Sequence, residues 1–138
     1  MPALQETELR VSLMKVARRL RQQKSDSELT DSQMSVLAVL DRAGALTPRA
    51  LADFERVQPP SMTRTVAALA ERGLVDRAPD PADGRQVLVR ITEAGVAAVT
   101  ATRRQRDAWL AGRLAELDPD DRAVLARASQ ILRRIAES

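Results

Sequence analysis

The most restrictive feature of the sequence is a change of period in its middle. Apolar residues recur at helical spacing over most of the chain, but "LVDRA" (74–78) and "VLVRI" (87–91) alternate and are too short for helices. These segments predict two antiparallel strands, joined by a tip that runs from Pro79 to Gln86. The predicted fold class is therefore mainly α with one small β hairpin (α+β).

Local start and stop signals predict the helices on either side of this hairpin. The predicted helices span residues 4–24, 31–43, 48–55, 59–72, 93–115 and 119–136, and "KSDSE" (24–28) ends the first of them. Several begin at a side chain that can accept a hydrogen bond from the first turn, next to a proline or a capping-box glutamine. These start signals are Thr30 with Gln33, Thr47 with Pro48, Thr92, and Asp118 with Pro119.

The third and fourth predicted helices form a helix-turn-helix that is followed directly by the hairpin, which is a winged-helix arrangement. A helix fits the major groove of duplex DNA, and a hairpin beside it can reach the neighbouring minor groove. At about 100° per residue, one side of the fourth helix carries Met62, Val66 and Leu69 and is expected to face the core.

The opposite side of this helix has no carboxylate before Glu71 and presents short polar groups. Arg64 can donate two hydrogen bonds to guanine, and Ser61 and Thr65 can bond bases or phosphates. The small side chain of Ala68 permits a close approach to DNA. Taken alone, the pattern fits an ordinary amphipathic helix with a solvated polar side equally well.

The tip of the hairpin, "PDPADGRQ" (79–86), resembles a stiff support for one cation. A rigid arginine loses less entropy when it enters a minor groove, and two prolines stiffen the approach to Arg85. Gly84 is expected to allow the sharp turn, and Asp83 to hold Arg85 or Arg77 or to accept turn N–H groups. In an isolated hairpin, the Pro, Gly and Asp residues of this tip would indicate only a solvated turn. Because this hairpin directly follows a helix-turn-helix, contact with DNA is favoured.

The composition removes several classes of function. The chain has no Cys and no His, so disulfides, thiol redox sensing and the commonest metal ligand and general base are missing. Neither an enzyme nor a cofactor nor a metal site is predicted. No secretory or membrane-spanning pattern is present, and a cytoplasmic protein is expected. The net charge of +3 is spread evenly, so a DNA-binding prediction depends on particular arginines.

The segments "LTDSQMSVLAVL", "PRALAD", "PPSMTRTVAALAERGLVDRAPDPADGRQVLVRIT" and "EAG" resemble, in this order and spacing, the MarR family of bacterial transcription regulators. The resemblance covers about residues 5–137, and its most specific parts are "LAERGLVDR" and the Asp83-x-Arg85 wing. It implies a homodimeric regulator of a roughly palindromic operator, with Arg85 in the minor groove and the 60–68 helix in the major groove. It also implies a repressor that a small aromatic or phenolic ligand releases from DNA.

The resemblance and the residue patterns together yield a set of predicted sites. The predicted DNA-contacting residues are Pro60, Ser61, Met62, Thr63, Arg64, Thr65 and Ala68 in the recognition helix and Asp83, Gly84, Arg85 and Gln86 in the wing, with Arg77 as wing support. The terminal helices carry apolar stripes that a small winged helix cannot bury alone, which predicts a two-fold dimer. Its predicted interface residues are Leu9, Leu13, Val16, Trp109, Ile131, Leu132 and Ile135.

The predicted domain organisation has dimerisation helices at 1–28 and 112–138 and a winged-helix DNA-binding domain at 29–111, with the wing at 74–91. The long helix at 93–115 links the two parts. Three arginines of the first helix, Arg18, Arg19 and Arg21, are expected to form a solvated face. The alternative function is a winged-helix protein-interaction module without sequence-specific DNA binding, which the near-neutral charge balance would suit.

Overall fold

Eight secondary-structure elements make up the fold. A computed structural model describes residues 3–23 and 29–138. The elements are α1 (Glu6–Gln22), α2 (Asp31–Ala43), α3 (Pro48–Glu55), α4 (Pro59–Glu71), β1 (Val75–Pro79), β2 (Val87–Ile91), α5 (Glu93–Leu114) and α6 (Pro119–Ala136). This order confirms the predicted fold class. The segment "KSDSE", predicted to end the first helix, lies outside the described residues.

The predicted helix starts are present as hydrogen bonds. Thr30 and Gln33 form a complete capping box, in which each side chain accepts from the other residue's backbone N–H at 3.1 Å. Thr47 accepts from the N–H of Ala50 at 3.1 Å, and Asp118 accepts from that of Asp121 at 2.8 Å. A proline follows each of the last two caps, where its missing N–H removes no helical hydrogen bond. These caps hold α2, α3 and α6 at the predicted residues.

One apolar core joins α2, α3, α4, the hairpin and α5. Met62, Val66 and Leu69 lie on its α4 side with at most 2% of their surface exposed, as predicted from their spacing. Burying a side chain of this size contributes about 1.5–3 kcal/mol. The most deeply buried side chains of the core are Val36, Leu37, Leu40, Leu51, Leu69, Val75, Val89, Val99 and Thr102.

The hairpin is a two-stranded antiparallel sheet whose register runs from Val75 opposite Ile91 to Pro79 opposite Val87. Leu46, which precedes α3, forms an isolated antiparallel bridge to Val89. In this bridge the Val89 N–H donates to the Leu46 carbonyl at 2.8 Å, and the Leu46 N–H donates to the Val89 carbonyl at 3.1 Å. The sequence pattern did not predict this bridge. It ties the wing to the start of the helix-turn-helix.

The helices α1 and α6 lie outside this core. Neither contains a buried residue, although both are amphipathic. None of the helices in the described part of the chain combines the length and the apolarity that a membrane span requires. The two terminal helices therefore present apolar surface that the single chain leaves uncovered.

Candidate nucleic-acid interface

Before Glu71, the outward face of α4 is polar, small and uncharged except for Arg64. Arg64 is exposed, and one of its Nη atoms donates to Ser61 Oγ at 3.3 Å, which holds the guanidinium beside the first turn of the helix. The hydroxyls of Thr63 and Thr65 donate back to the carbonyls of Pro59 and Ser61 at 3.0 and 3.1 Å. Their lone pairs remain available as acceptors, while Ala68 leaves space for a close partner. This face can bond to base edges and to phosphates.

The prediction that Met62 contacts DNA is wrong, because its side chain is buried. Its side chain is 2% exposed and packs in the core with Val66 and Leu69. A residue in that position supports the helix from behind and has no surface to present to DNA. The remaining predicted residues of α4 are exposed or half-buried: Pro60, Ser61, Thr63, Arg64, Thr65 and Ala68.

The tip of the wing is organised around the carboxylate of Asp83. Asp83 Oδ1 accepts from the backbone N–H of Arg85 at 3.1 Å and from Arg85 Nε at 3.3 Å. The Asp83 carbonyl accepts from the N–H of Gln86 at 3.0 Å, and the Gln86 carbonyl accepts from the N–H of Asp80 at 2.8 Å. Asp83 thus performs two of the roles expected of it, because it holds Arg85 and accepts a turn N–H.

Arg85 is the most prominent cation of this tip, with 93% of its side chain exposed. An exposed ion pair such as Asp83–Arg85 contributes little stability, so its consequence is orientation. One carboxylate oxygen restrains the guanidinium at Nε, while nearly all of the side chain stays exposed to solvent. Such an arrangement suits insertion into a narrow groove of negative potential.

The structure corrects the expectation for Gly84 and decides between the two partners expected for Asp83. Gly84 does not have a positive φ, and an added Cβ would meet nothing within 4 Å, so the turn does not depend on glycine there. Asp83 holds Arg85 rather than Arg77, and the register places Arg77 opposite Val89 on β2. Arg77 is exposed and lies along the strand rather than at the tip.

The predicted dimer residues of α1 and α6 lie at the surface of the single chain. Leu13 is 41% exposed and Val16 47%, while Ile131 and Ile135 are 38% and 59% exposed. Leu9 and Leu132 are half-buried. The exposures are high for large apolar side chains.

Trp109 lies at the seam between α1 and α5 and is half-buried. Arg19 and Arg113 stack on its ring, with the guanidinium carbons 5.0 and 5.5 Å from the ring centroid. Cation–π contacts at these distances are attractive. Arg19 is exposed, as expected of a solvated face, and its guanidinium in addition stacks on the indole.

Two open grooves adjoin the described residues at the end of α1. The first has a volume of about 470 Å³ and is lined by Arg18, Arg21, Gln22 and Asp31. The second, of about 420 Å³, is lined by Gln22, Gln23, Gln105, Ala108 and Trp109. Both lie where α1 meets the remainder of the chain. Among the residues that the structure describes, no group of three or more His, Cys, Asp or Glu side chains could hold a metal ion.

Two contacts that sequence reasoning missed connect α5 to the helices beside it. Arg103 donates to Asp41 of α2 at 2.7 Å, and Arg106 donates to the carbonyl of Leu20 of α1 at 3.1 Å. Each pair is separated by more than 60 positions along the chain. No local spacing signal identifies such partners, because they become neighbours only when the helices pack.

The fold and the site define a winged-helix protein whose recognition helix and wing tip are both suited to duplex DNA. The MarR family profile matches residues 29–87. An HTH-type transcriptional regulator of Mycobacterium tuberculosis is 48% identical over 126 residues, which make up 91% of this chain and 88% of that protein. The chain therefore belongs to the MarR family and is a DNA-binding transcriptional regulator.

Solved structures agree with this assignment. The structure of the multiple antibiotic resistance repressor MarR aligns with 97% of this chain and 96% of its own, at a TM-score of 0.81 and 26% identity. The PcaV transcriptional regulator from Streptomyces coelicolor, solved in complex with its natural ligand, aligns with 100% of this chain and 99% of its own, at a TM-score of 0.65 and 26% identity. These relatives are described as regulators rather than enzymes, and they favour DNA binding over a protein-interaction module.

Proposed function

We propose that two copies of the chain form a homodimer that represses transcription by occupying a pseudo-palindromic operator in the cytoplasm, and that a small molecule relieves this repression. The observation that carries the proposal is the pairing of two surfaces: a recognition face centred on Arg64, with no carboxylate before Glu71, and an exposed Arg85 that Asp83 holds in place. The same apolar core supports both surfaces. No catalytic step, cofactor or membrane contact forms part of the proposal.

The proposed dimer is supported by the uncovered apolar faces of α1 and α6. Contiguous exposed apolar surface on a soluble chain marks an interaction site, and a two-fold pair would match a two-fold operator. The proposed interface comprises Leu9, Leu13, Val16, Ile131, Leu132 and Ile135, with Trp109 at its edge. In domain terms, residues 1–28 and 112–138 dimerise and residues 29–111 bind DNA, with the 93–115 helix linking them.

Each protomer would read one half-site in two grooves. The proposed major-groove contacts are Pro60, Ser61, Thr63, Arg64, Thr65 and Ala68, and the proposed wing contacts are Asp83, Gly84, Arg85 and Gln86, with Arg77 supporting the wing. A bidentate arginine–guanine contact discriminates against the wrong base by about 1–3 kcal/mol. Arg85 would favour A/T-rich sequence, because a narrow minor groove concentrates negative potential.

The proposed effector site is the pair of grooves beside α1. They supply cations, amides, the carboxylate of Asp31 and one aromatic ring in a chain that has no His and no Tyr. A planar aromatic or phenolic compound suits such a lining, because its hydroxyl groups can bond to the amides of Gln22 and Gln105. The relative PcaV, solved with a natural ligand, supports the idea that a small molecule binds a fold of this kind.

A binding titration over a salt series tests the proposal. Wild-type protein is titrated onto fluorescent duplex from upstream of its own gene, between about 50 and about 200 mM salt, and the slope of log affinity against log salt reports the phosphates contacted. We expect Arg64→Ala to weaken binding by about 1–3 kcal/mol and to relax preference at one base pair. We expect Arg85→Ala to weaken binding and to reduce the preference for A/T-rich flanks.

Arg122→Ala, which removes an exposed arginine from the first turn of α6, is the matched control and should bind as wild type does. The reasoning is refuted if Arg64→Ala and Arg85→Ala also bind like wild type. If the protein does not bind duplex DNA at low salt, or is a monomer by light scattering, the result favours the alternative function, a protein-interaction module without sequence-specific DNA binding.

A further inference from the structure

The motif "ITEAG" (91–95) forms a joint between the recognition helix and the long helix α5. This α4–α5 joint comprises Gly73, Leu74, Thr92 and Gly95. Gly73 follows the end of α4 with a φ of +74°, and Leu74 leads into β1. Thr92 and Gly95 stand at the start of α5. The DNA-binding proposal assigns no role to any of these four residues.

One hydroxyl group connects the two helices. Thr92 Oγ1 donates to the carbonyl of Gly73 at 2.7 Å and accepts from the N–H of Gly95 at 3.1 Å. The backbone N–H of Thr92 donates to the carbonyl of Leu74 at 3.1 Å. The threonine therefore caps α5 and binds the exit of α4 at the same time.

Gly95 brings the backbones into direct contact. A Cβ added there would overlap the carbonyl oxygen of Leu74 and come within 2.6 Å of Ile91 Cγ1. Gly95 is buried, and the first turn of α5 has no space to slide against Leu74. The joint is thus closed on one side by hydrogen bonds and on the other by backbone packing.

We infer that the α4–α5 joint sets the distance between the two recognition helices of the dimer, and so determines which half-site spacing the protein accepts. The joint lies at the C-terminal end of α4, whereas the DNA-facing residues lie at its N-terminal end. From Gly73 to Ser61 the helix is about 18 Å long at 1.5 Å per residue. A rotation of about 11° at the joint moves Ser61 by about 3.4 Å, which is the rise of one base pair.

The inference rests on the proposed function, because spacing has meaning only for a dimer on DNA. The positioning residue is Thr92, and its hydroxyl can be separated from its capping role. Thr92→Asp keeps an acceptor for the N–H of Gly95 but has no proton to donate to Gly73. Thr92→Ser keeps both hydrogen bonds and is the matched control.

The first experiment measures a spacing profile. Wild-type protein selects duplexes from a random library, and binding is then measured on the selected site with base pairs inserted or removed between its halves. We expect wild type and Thr92→Ser to lose about tenfold or more in affinity for one base pair of change, within the range of a mismatched site. For Thr92→Asp we expect the same change to cost less than about threefold.

A structural role alone would lower the affinity of Thr92→Asp by one common factor at every spacing, and that result overturns the inference. A full wild-type profile in Thr92→Asp overturns it as well. Arg103→Ala removes a contact of α5 with α2 instead of α4 and should keep the wild-type profile. A flattened profile in this variant would show that the effect is not specific to the α4–α5 joint. Wild-type protein that selects no sequence refutes the proposed function itself.

The second experiment requires no DNA. Because the chain has no cysteine, Ala67→Cys provides a single site for a spin label on the exposed side of α4. Pulsed electron paramagnetic resonance then measures the distance between the two labels of the dimer. We expect a narrow distribution in the wild-type and Thr92→Ser backgrounds and a broad or shifted one with Thr92→Asp. If Thr92→Asp melts below the assay temperature, Thr92→Ala removes the hydroxyl without adding charge. Equal distributions in all backgrounds contradict the inference.

Discussion

Arg56, in the turn between α3 and α4, lies in a backbone conformation that arginine rarely adopts. Its φ is +53° and its ψ 45°, and it is the one residue other than glycine with a positive φ in the described part of the chain. Its backbone N–H donates to the carbonyl of Asp53 at 3.3 Å, which ends α3. The side chain is exposed. The left-handed turn delivers the chain to the start of the recognition helix.

We expect Arg56→Gly to stabilise the protein. The left-handed conformation costs a residue with a Cβ about 1–2 kcal/mol, whereas glycine adopts it freely. Glycine also gains about 0.4–1 kcal/mol of backbone freedom in the unfolded chain, which opposes the effect. The difference is a net increase of about 0.5–1 kcal/mol in the free energy of unfolding, which corresponds to a rise of about 2–4 °C in Tm.

Thermal melts at one fixed protein concentration measure this change, because the Tm of a dimer depends on concentration. Arg56→Ala is the matched control, since it removes the same side chain but keeps a Cβ in the left-handed conformation. The glycine variant should melt above both the wild type and the alanine variant. If glycine and alanine melt at the same temperature, the backbone at position 56 carries no such cost and the reasoning is refuted.

Three further predictions concern the core, the dimer and the capping box. Met62→Ala should lower the free energy of unfolding by about 2–5 kcal/mol in urea titrations, while Thr63→Ala should change it by less than about 0.5 kcal/mol; equal losses would contradict the burial of Met62. Leu13→Glu and Ile135→Glu should each shift the light-scattering mass toward the monomer, and an unchanged dimer mass would remove these residues from the proposed interface. Thr30→Ala should cost about 1 kcal/mol in the same urea titrations, and a neutral result would mean that the capping box contributes nothing to α2.

The boundaries of the elements are local properties, and local signals predicted them. Thr30, Thr47 and Asp118 each bond to an N–H three residues away, so the information lies within one helical turn. The alternation in 87–91 likewise predicts a strand because successive side chains point to opposite faces. The stiff wing tip and the polar face of α4 follow from the same short-range reasoning.

The partners of these elements are not local properties. Leu46 pairs with Val89 across 43 positions of the sequence, and Arg103 meets Asp41 across 62. Many helices carry threonine caps, and nothing in the spacing of Thr92 shows that its hydroxyl also binds Gly73. The helical phase of Met62 already indicated its burial, which the structure confirms, so its prediction as a DNA contact ran against that local signal.

The order of helices and strands and the winged-helix class could therefore be derived from residues close together in the chain, since capping, proline geometry and side-chain periodicity act over a few positions. The family came from the resemblance of longer segments of the sequence. The orientation of α4 against α5, the attachment of the wing at Leu46 and the stacking of Arg19 on Trp109 required the folded core. They arise when apolar faces of separate helices are buried together, and that burial depends on three-dimensional complementarity that no short stretch of sequence contains.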